Sequence, residues 1–294
     1  SAAGLIIPKT SSRAITSPAG TADTMQSLTN VSLNIRQIER VVDKTGACLA
    51  WGGAVNLSPA DDMLIRIERS LDLDGEGQLI ASVLSKKIAA GSTHVIIDIP
   101  VGETAKVRSH EGANRLAELF NHVGEACGIR VRCVLTDGSK PVGFGIGPSQ
   151  EARDIIAVLN CHKEAPQDLK ERALTLAANM FDMNNGLGVD AGLELATSIL
   201  ESGQALAQFN KILIEQGEHK VLSEANHKHI EVAKNYGVLT RIDNRKLARL
   251  AKLAGAPFSL NAGLRLHVNV GSEVTQGSKL FTLFSDSQGE MNYA

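Results

Sequence analysis

Thr93-His94-Val95-Ile96-Ile97-Asp98-Ile99, residues 93–99, is β-branched and apolar at all but a few positions. Such a run reads as a strand buried in a parallel sheet. A glycine- and hydroxyl-bearing loop, Gly102-Glu103-Thr104-Ala105-Lys106, follows it. A helix over 111–127 and a second apolar strand over 129–135 come next, the latter closed by Thr136-Asp137-Gly138. Gly143, Gly145 and Gly147 make an irregular loop before a helix over 149–160, for which Ser149 is the expected cap. Strand, helix, strand, loop, helix is the βαβ rhythm of an α/β fold. Loop 102–106 then sits at the carboxyl end of a strand, where α/β proteins bind ligands, although a plain connector reads equally well.

Working outward, Leu79, Ile80, Val83, Leu84 and Ile88 form one stripe of an amphipathic helix over 78–90, ended by Gly91. Pro59, Asp61 and Asp62 suggest a turn or short helix before it. Nearer the start, Ile35, Ile38, Val41 and Val42 mark a helix over 34–44, stopped by Gly46, and Ala47–Trp51 reads as a short buried strand. Residues 166–218 look helical, with separate helices over 190–201 and 204–215. The last block predicts a basic helix over 244–254, strands over 264–270 and 279–284, and a loose polar tail from Asp286.

The 294 residues carry 30 Lys plus Arg against 32 Asp plus Glu, a formal charge of −2. That balance removes the usual electrostatic argument for a nucleic-acid polymer or an anionic membrane. Aromatics at 3% speak against a stacking platform for single strands. No apolar run is long enough to span a bilayer, and Ser1–Pro8 lacks the basic region of a signal peptide. The opening reads as the interior of a longer protein. The cysteines at 48, 127, 133 and 161 form no CxxC, so a cytoplasmic protein without a disulfide scaffold is expected.

The densest chemical signal is residues 11–24, SSRAITSPAGTADT, which gather the hydroxyls of Ser11, Ser12, Thr16, Ser17, Thr21 and Thr24 around Arg13. Hydroxyls and backbone N–H groups near a helix start can satisfy phosphate or carbonyl oxygens. The stretch is no Walker loop, and a polar surface loop is the plainer alternative. Ser82 and Lys86 are i and i+4 on one helix, so they can hold two polar edges of a flat base or simply decorate a solvated face. Asp74 precedes that helix in a string that does not match a calcium loop. Gly143–Gly147 lacks the GxGxxG of a dinucleotide site. His227 and His229 are too close for ligation from one helix face, although they could serve on a strand, His219 stands eight residues before His227, and neither HExxH nor GxSxG occurs, so no metal is expected.

Taken together, LIIPKTSSRAITSPAGTADTM (5–25), KTGACLAWGGAVNLSPADD (44–62), LIASVLSKKIAAGSTHVIIDIPVG (79–102) and AGLRLHVNVGSEVTQGSKLFTLF (262–284) resemble the pyrimidine-nucleoside phosphorylase superfamily. Within it, the chain is most similar to the longer, type 2 branch that holds archaeal AMP phosphorylases and bacterial thymidine phosphorylases. The resemblance implies phosphorolysis: inorganic phosphate attacks C1′ of a pyrimidine nucleoside such as thymidine, giving free base and (deoxy)ribose 1-phosphate. No metal or organic cofactor is implied, since phosphate is a co-substrate. Two alternatives stay open: a nucleoside 5′-monophosphate phosphorylase that yields ribose 1,5-bisphosphate, and an inactive nucleotide-binding module.

Carried over by motif, Ser12, Arg13, Ala14, Ile15, Thr16, Ser17 and Thr21 look like substrate and phosphate contacts. Ser82, Lys86 and Lys106 look like nucleoside-side contacts, Asp74 matches a proton donor, and Arg66 is the candidate for a further base contact. The family's Lys-His-Ser loop is absent, so the chain resembles a fragment lacking an N-terminal part, homodimeric when full length. The expected fold is therefore α/β: a parallel or mixed sheet flanked by helices, with the remnant of a helical lobe and a small C-terminal α+β domain. Residues 1–57 and 93–165 form the phosphate-binding core, 58–92 a segment of the base-binding lobe, 166–224 the helical part of the core, and 225–294 the C-terminal domain. The helices over 59–90 would normally pack on the missing lobe, so in this chain they are expected to expose apolar surface, rearrange or pair with another copy.

Overall fold

The computed structural model describes residues 1–55 and 76–294. Asp74, Arg66 and the expected turn at Pro59–Asp62 lie outside the described residues.

The chain opens with β1 (Ile7–Ser11), passes through the hydroxyl-rich loop into α1 (Thr21–Gln26), then forms α2 (Ile35–Thr45) before β2 (Ala47–Trp51) returns beside β1. The two strands are parallel, in register from Ile7↔Ala47 to Ser11↔Trp51. The start of α2 is fixed by a capping box: Asn34 accepts from the Gln37 amide, and Gln37 accepts from the Asn34 amide. Its end is Gly46, at φ 71°, a conformation that favours glycine. Leu33, Val41, Cys48 and Ala50 pack beneath it.

Next, α3 (Glu76–Ala89) leads to β3 (His94–Val101), α4 (His110–Ala126) and β4 (Arg130–Asp137). The strands β3 and β4 run parallel, from His94↔Arg130 to Val101↔Asp137, with α4 as the crossover. The Ser109 hydroxyl caps α4 by accepting from Gly112 N at 3.1 Å. The apolar stripe of α3 is covered in part: Leu79 and Val83 are half-buried and Ile88 is exposed. Ile80 and Leu84 are 4% and 1% accessible and join Val95, Ile99, Leu116 and Phe120 in one core cluster. The sheet and its crossover helix cover Ile80 and Leu84; the part of the expected helical segment before Glu76 lies outside the described residues.

The chain then makes β5 (Gly145–Ile146), α5 (Pro148–Leu159), α6 (Gln167–Asn185), α7 (Val189–Glu201) and α8 (Gln204–Glu215). Ser149 is not the cap of α5. Pro148 takes the first helical position after Gly147, and Ser149 turns inward, with Ser27 Oγ and Asn261 Oδ1 both 3.4 Å from its hydroxyl.

The last region holds β6 (His227–Val232), β7 (Gly237–Val238), α9 (Asn244–Leu253), β8 (Gly263–Leu266), β9 (Glu273–Val274), β10 (Lys279–Ser285) and α10 (Gln288–Tyr293). Strand order in the antiparallel sheet is β5-β8-β10-β6, so a strand from the core closes one edge. The expected strand over 264–270 stops at Leu266. The tail is not loose: Ser287 accepts from Glu290 N at 3.3 Å, and Met291 and Ala294 pack on the cluster around Leu264 and Leu283. Among the described residues no helix is long and apolar enough to cross a membrane, and no group of three metal-ligating side chains occurs.

Candidate active site

The hydroxyl-rich loop leaves the carboxyl end of β1, where Ser11 stands opposite Trp51. It is shaped from below by Asp23 of α1, which is 3% accessible. One carboxylate oxygen accepts from Arg13 Nη1 at 3.0 Å; the other accepts from the amides of Ala14 at 2.6 Å and Gly20 at 3.0 Å. Both ends of the loop are thus tied to one buried anion. Gly20 is required by space: a Cβ there would lie 2.6 Å from the Ser12 carbonyl oxygen. The Arg13 guanidinium also lies over the Trp51 ring, 4.7 Å from its centroid. With the backbone pinned, Ser12, Arg13 and Ala14 are half-buried, whereas Ile15, Thr16, Ser17 and Thr21 are exposed.

A second buried acid supports the same region. Glu151 of α5 accepts from Thr24 Oγ1 at 2.9 Å and from Gly147 N at 3.2 Å. Burial pushes its carboxyl up to about 7, and the neighbouring Asp154 and Asp23 add to the rise against those two hydrogen bonds. The loop's outer side opens into a cavity of about 740 Å³ that Arg13, Ile15 and Ser17 share with Lys252, Pro257 and Phe258.

The nucleoside-side candidates lie elsewhere. Lys86 Nζ donates to Ser82 Oγ at 3.2 Å on α3, as their spacing predicts. Beside them Lys87 is lowered to about 8, first by burial and then by the charges of Lys9 and Lys86. Lys106 sits on the loop after β3, which is folded by the Gly102 amide donating to Val107 O at 3.0 Å. The loop presses on the one after β4, since a Cβ at Gly102 would meet the Gly138 carbonyl at 2.5 Å. Lys106 lines a cavity of about 450 Å³ with Leu79, Val83, Thr104, Arg172 and Asn244. Thr104 Oγ1 and Asn244 Oδ1 are buried there without a hydrogen-bond partner among the described residues. Arg172 is held by the Asp137 carbonyl at 2.5 Å and stands 3.7 Å from Asp98.

The structure therefore gathers Ser12–Ser17 into one preformed loop and pairs Ser82 with Lys86, but places loop 12–17 and Lys106 on separate cavities. Asp74 lies outside the described residues. Sequence reasoning gave no role to Asp23, Glu151, Lys252 or Phe258. Asp23 was detectable: it stands three residues after Gly20 at a helix start, the position of a capping-box acid.

The family description "Glycosyl transferase family, a/b domain" matches residues 1–206, the span that holds both parallel strand pairs and every candidate residue named from the sequence. The chain belongs to this glycosyl transferase family. Among curated proteins it is 55% identical over 293 residues to a "Putative thymidine phosphorylase" of Ralstonia nicotianae, covering 100% of the chain and 58% of that relative. It is 56% identical to "Putative thymidine phosphorylase 2" of an Acidovorax species, with coverage of 100% and 57%. A "Putative thymidine phosphorylase" of Legionella pneumophila strain Corby is 55% identical over 291 residues, with coverage of 99% and 56%. The chain thus spans 58% or less of the length of these relatives.

Proposed function

We propose that this chain supplies the phosphate- and sugar-facing part of a pentosyltransferase that cleaves thymidine, or a related pyrimidine nucleoside, with inorganic phosphate. The observation that carries the reading is the loop Ser12–Ser17: hydroxyls and a guanidinium, fixed on a buried carboxylate at the carboxyl end of a parallel strand, in a glycosyl transferase domain. A phosphate oxygen attacks C1′ and forms the new C–O bond. The C1′–N bond breaks and its electron pair leaves with the base. The cationic character that builds at C1′ is met by the phosphate dianion. Negative charge growing on the base is met by the ammonium groups of Lys86 and Lys106 once their elements close on loop 12–17, since Lys106 lines a separate cavity in this structure, and Asp74 is the candidate to protonate the base. Phosphate is the only co-reactant, and no metal or organic cofactor enters the scheme. Cytoplasmic location and homodimerisation belong to the same proposal, as does the division into an α/β core, a base-lobe segment over 58–92 and a C-terminal domain.

The test is phosphate-dependent release of free base from thymidine, uridine, cytidine, AMP, CMP and UMP, assayed with this chain and with the full-length Ralstonia relative. Thymidine turnover that requires phosphate supports the proposal. No turnover of any of the six by either protein overturns it.

A further inference from the structure

The 740 Å³ cavity beside loop 13–17 has a second wall, built by Lys252 at the end of α9 and by the turn Gly255–Leu260. That wall lies beyond residue 206, outside the matched domain. The volume falls within the range of small-molecule sites.

Four features of the cavity bear on its occupant. Lys252 Nζ reaches across the mouth and donates to Thr16 O at 3.1 Å. An ammonium has three donors, and this carbonyl uses one. Phe258 is 94% accessible while it lines the cavity, so its ring is offered to whatever enters. Gln26 Oε1 is buried at the cavity's inner side with no hydrogen-bond partner among the described residues, an acceptor suited to an N–H or O–H group. Of the two acids, Asp23 already receives Arg13 and two amides, and Glu290 lies over Gly255, where it can accept from sugar hydroxyls but repels a bare anion.

We propose that Lys252 and Phe258 complete the ligand site across from loop 13–17, with Lys252 meeting a phosphoryl oxygen and Phe258 stacking on the flat ring of the same ligand. This rests on reading loop 13–17 as a ligand-binding loop. The phosphoryl group is that of a nucleotide or of inorganic phosphate, and the experiment separates the two. Nothing in the recognition depends on turnover.

The chain's single tryptophan, Trp51, lies under Arg13, which lines the cavity, and reports binding by its fluorescence. The 294-residue chain is titrated with CMP, cytidine and inorganic phosphate, as wild type, Lys252→Gln and Phe258→Leu, with thermal melts confirming that the variants fold. Lys252→Gln is expected to weaken CMP about tenfold and to leave cytidine within about twofold, the loss of one charge-assisted hydrogen bond. Phe258→Leu is expected to weaken CMP and cytidine by similar factors. Equal weakening of inorganic phosphate by Lys252→Gln supports the site and makes free phosphate its ligand; an effect on CMP alone supports it and makes the ligand a nucleotide. Unchanged CMP and phosphate affinity in Lys252→Gln overturns the proposal, as does a wild-type chain whose Trp51 emission responds to none of the three. CMP binding that depends on Lys252, while neither this chain nor the Ralstonia relative releases base from any of the six substrates, leaves this inference standing and sinks the phosphorylase reading instead.

Discussion

Asp23 and Arg13 meet at 3.0 Å across the base of the loop that begins at Ser12, and the other oxygen of the same carboxylate holds the Ala14 and Gly20 amides. One side chain thereby sets the path of nine residues. Asp23→Asn removes the charge and turns an amide N–H toward an existing donor. Unfolding in urea is expected to show a loss of about 2–3 kcal/mol, the cost of leaving buried donors unsatisfied. Amide exchange at Ala14 and Gly20 is expected to speed up more than at Val41. Equal acceleration at all three sites counts against a local role.

Glu151 makes stability depend on pH. Its carboxyl rises from 4.5 to about 7 on folding, so the folded chain holds a proton that the unfolded chain releases. The stabilisation is complete below about pH 4.5 and is lost as pH rises toward about 7. The loss is on the order of 3 kcal/mol. Glu151→Gln is expected to flatten this part of the profile and to melt higher than wild type at pH 8. A wild-type curve with the opposite slope that the variant leaves unaltered would falsify the assignment.

Lys87, lowered to about 8 by burial and by the charges of Lys9 and Lys86, is expected to be acylated at pH 8 more readily than a lysine of ordinary value. Trace labelling followed by peptide mass spectrometry reads this directly. Lys9→Gln removes one of the two neighbouring charges and is expected to slow labelling at Lys87. Uniform labelling across the lysines contradicts the environment described.

Leu84 tests the seat of α3. It is 1% accessible in the cluster with Ile99 and Phe120, so Leu84→Ala is expected to cost about 2–5 kcal/mol by chemical denaturation. A cost below about 0.5 kcal/mol would mean that α3 is not seated on the sheet in solution.

What could be read from the sequence follows how local each cause is. The parallel pair over 94–101 and 130–137 was legible because β-branched runs and their bounding glycines are adjacent in the chain. The helix ending at Gly46 was legible for the same reason. The polar composition of α10 hides its Ser287 cap, and Ser149 resembles a cap although Pro148 already occupies the first turn. The hydroxyls of 11–24 were visible as a string, but their support was not. Thr24 and Glu151 are 127 residues apart, and Thr16 and Lys252 are 236 apart, so neither pairing has any local signature.

The antiparallel sheet takes its edge strand from residues 145–146, and Asp154 of α5 grips both sides of that seam: it accepts from Gly145 N at 2.7 Å and from Arg265 Nη1 at 2.9 Å. A segment cut out at residue 225 and joined to another protein would carry β8 away with an open edge and a guanidinium without its carboxylate. The C-terminal region is thus poor material for recombination between unrelated genes. It is expected to travel through evolution only together with the glycine loop that borders it.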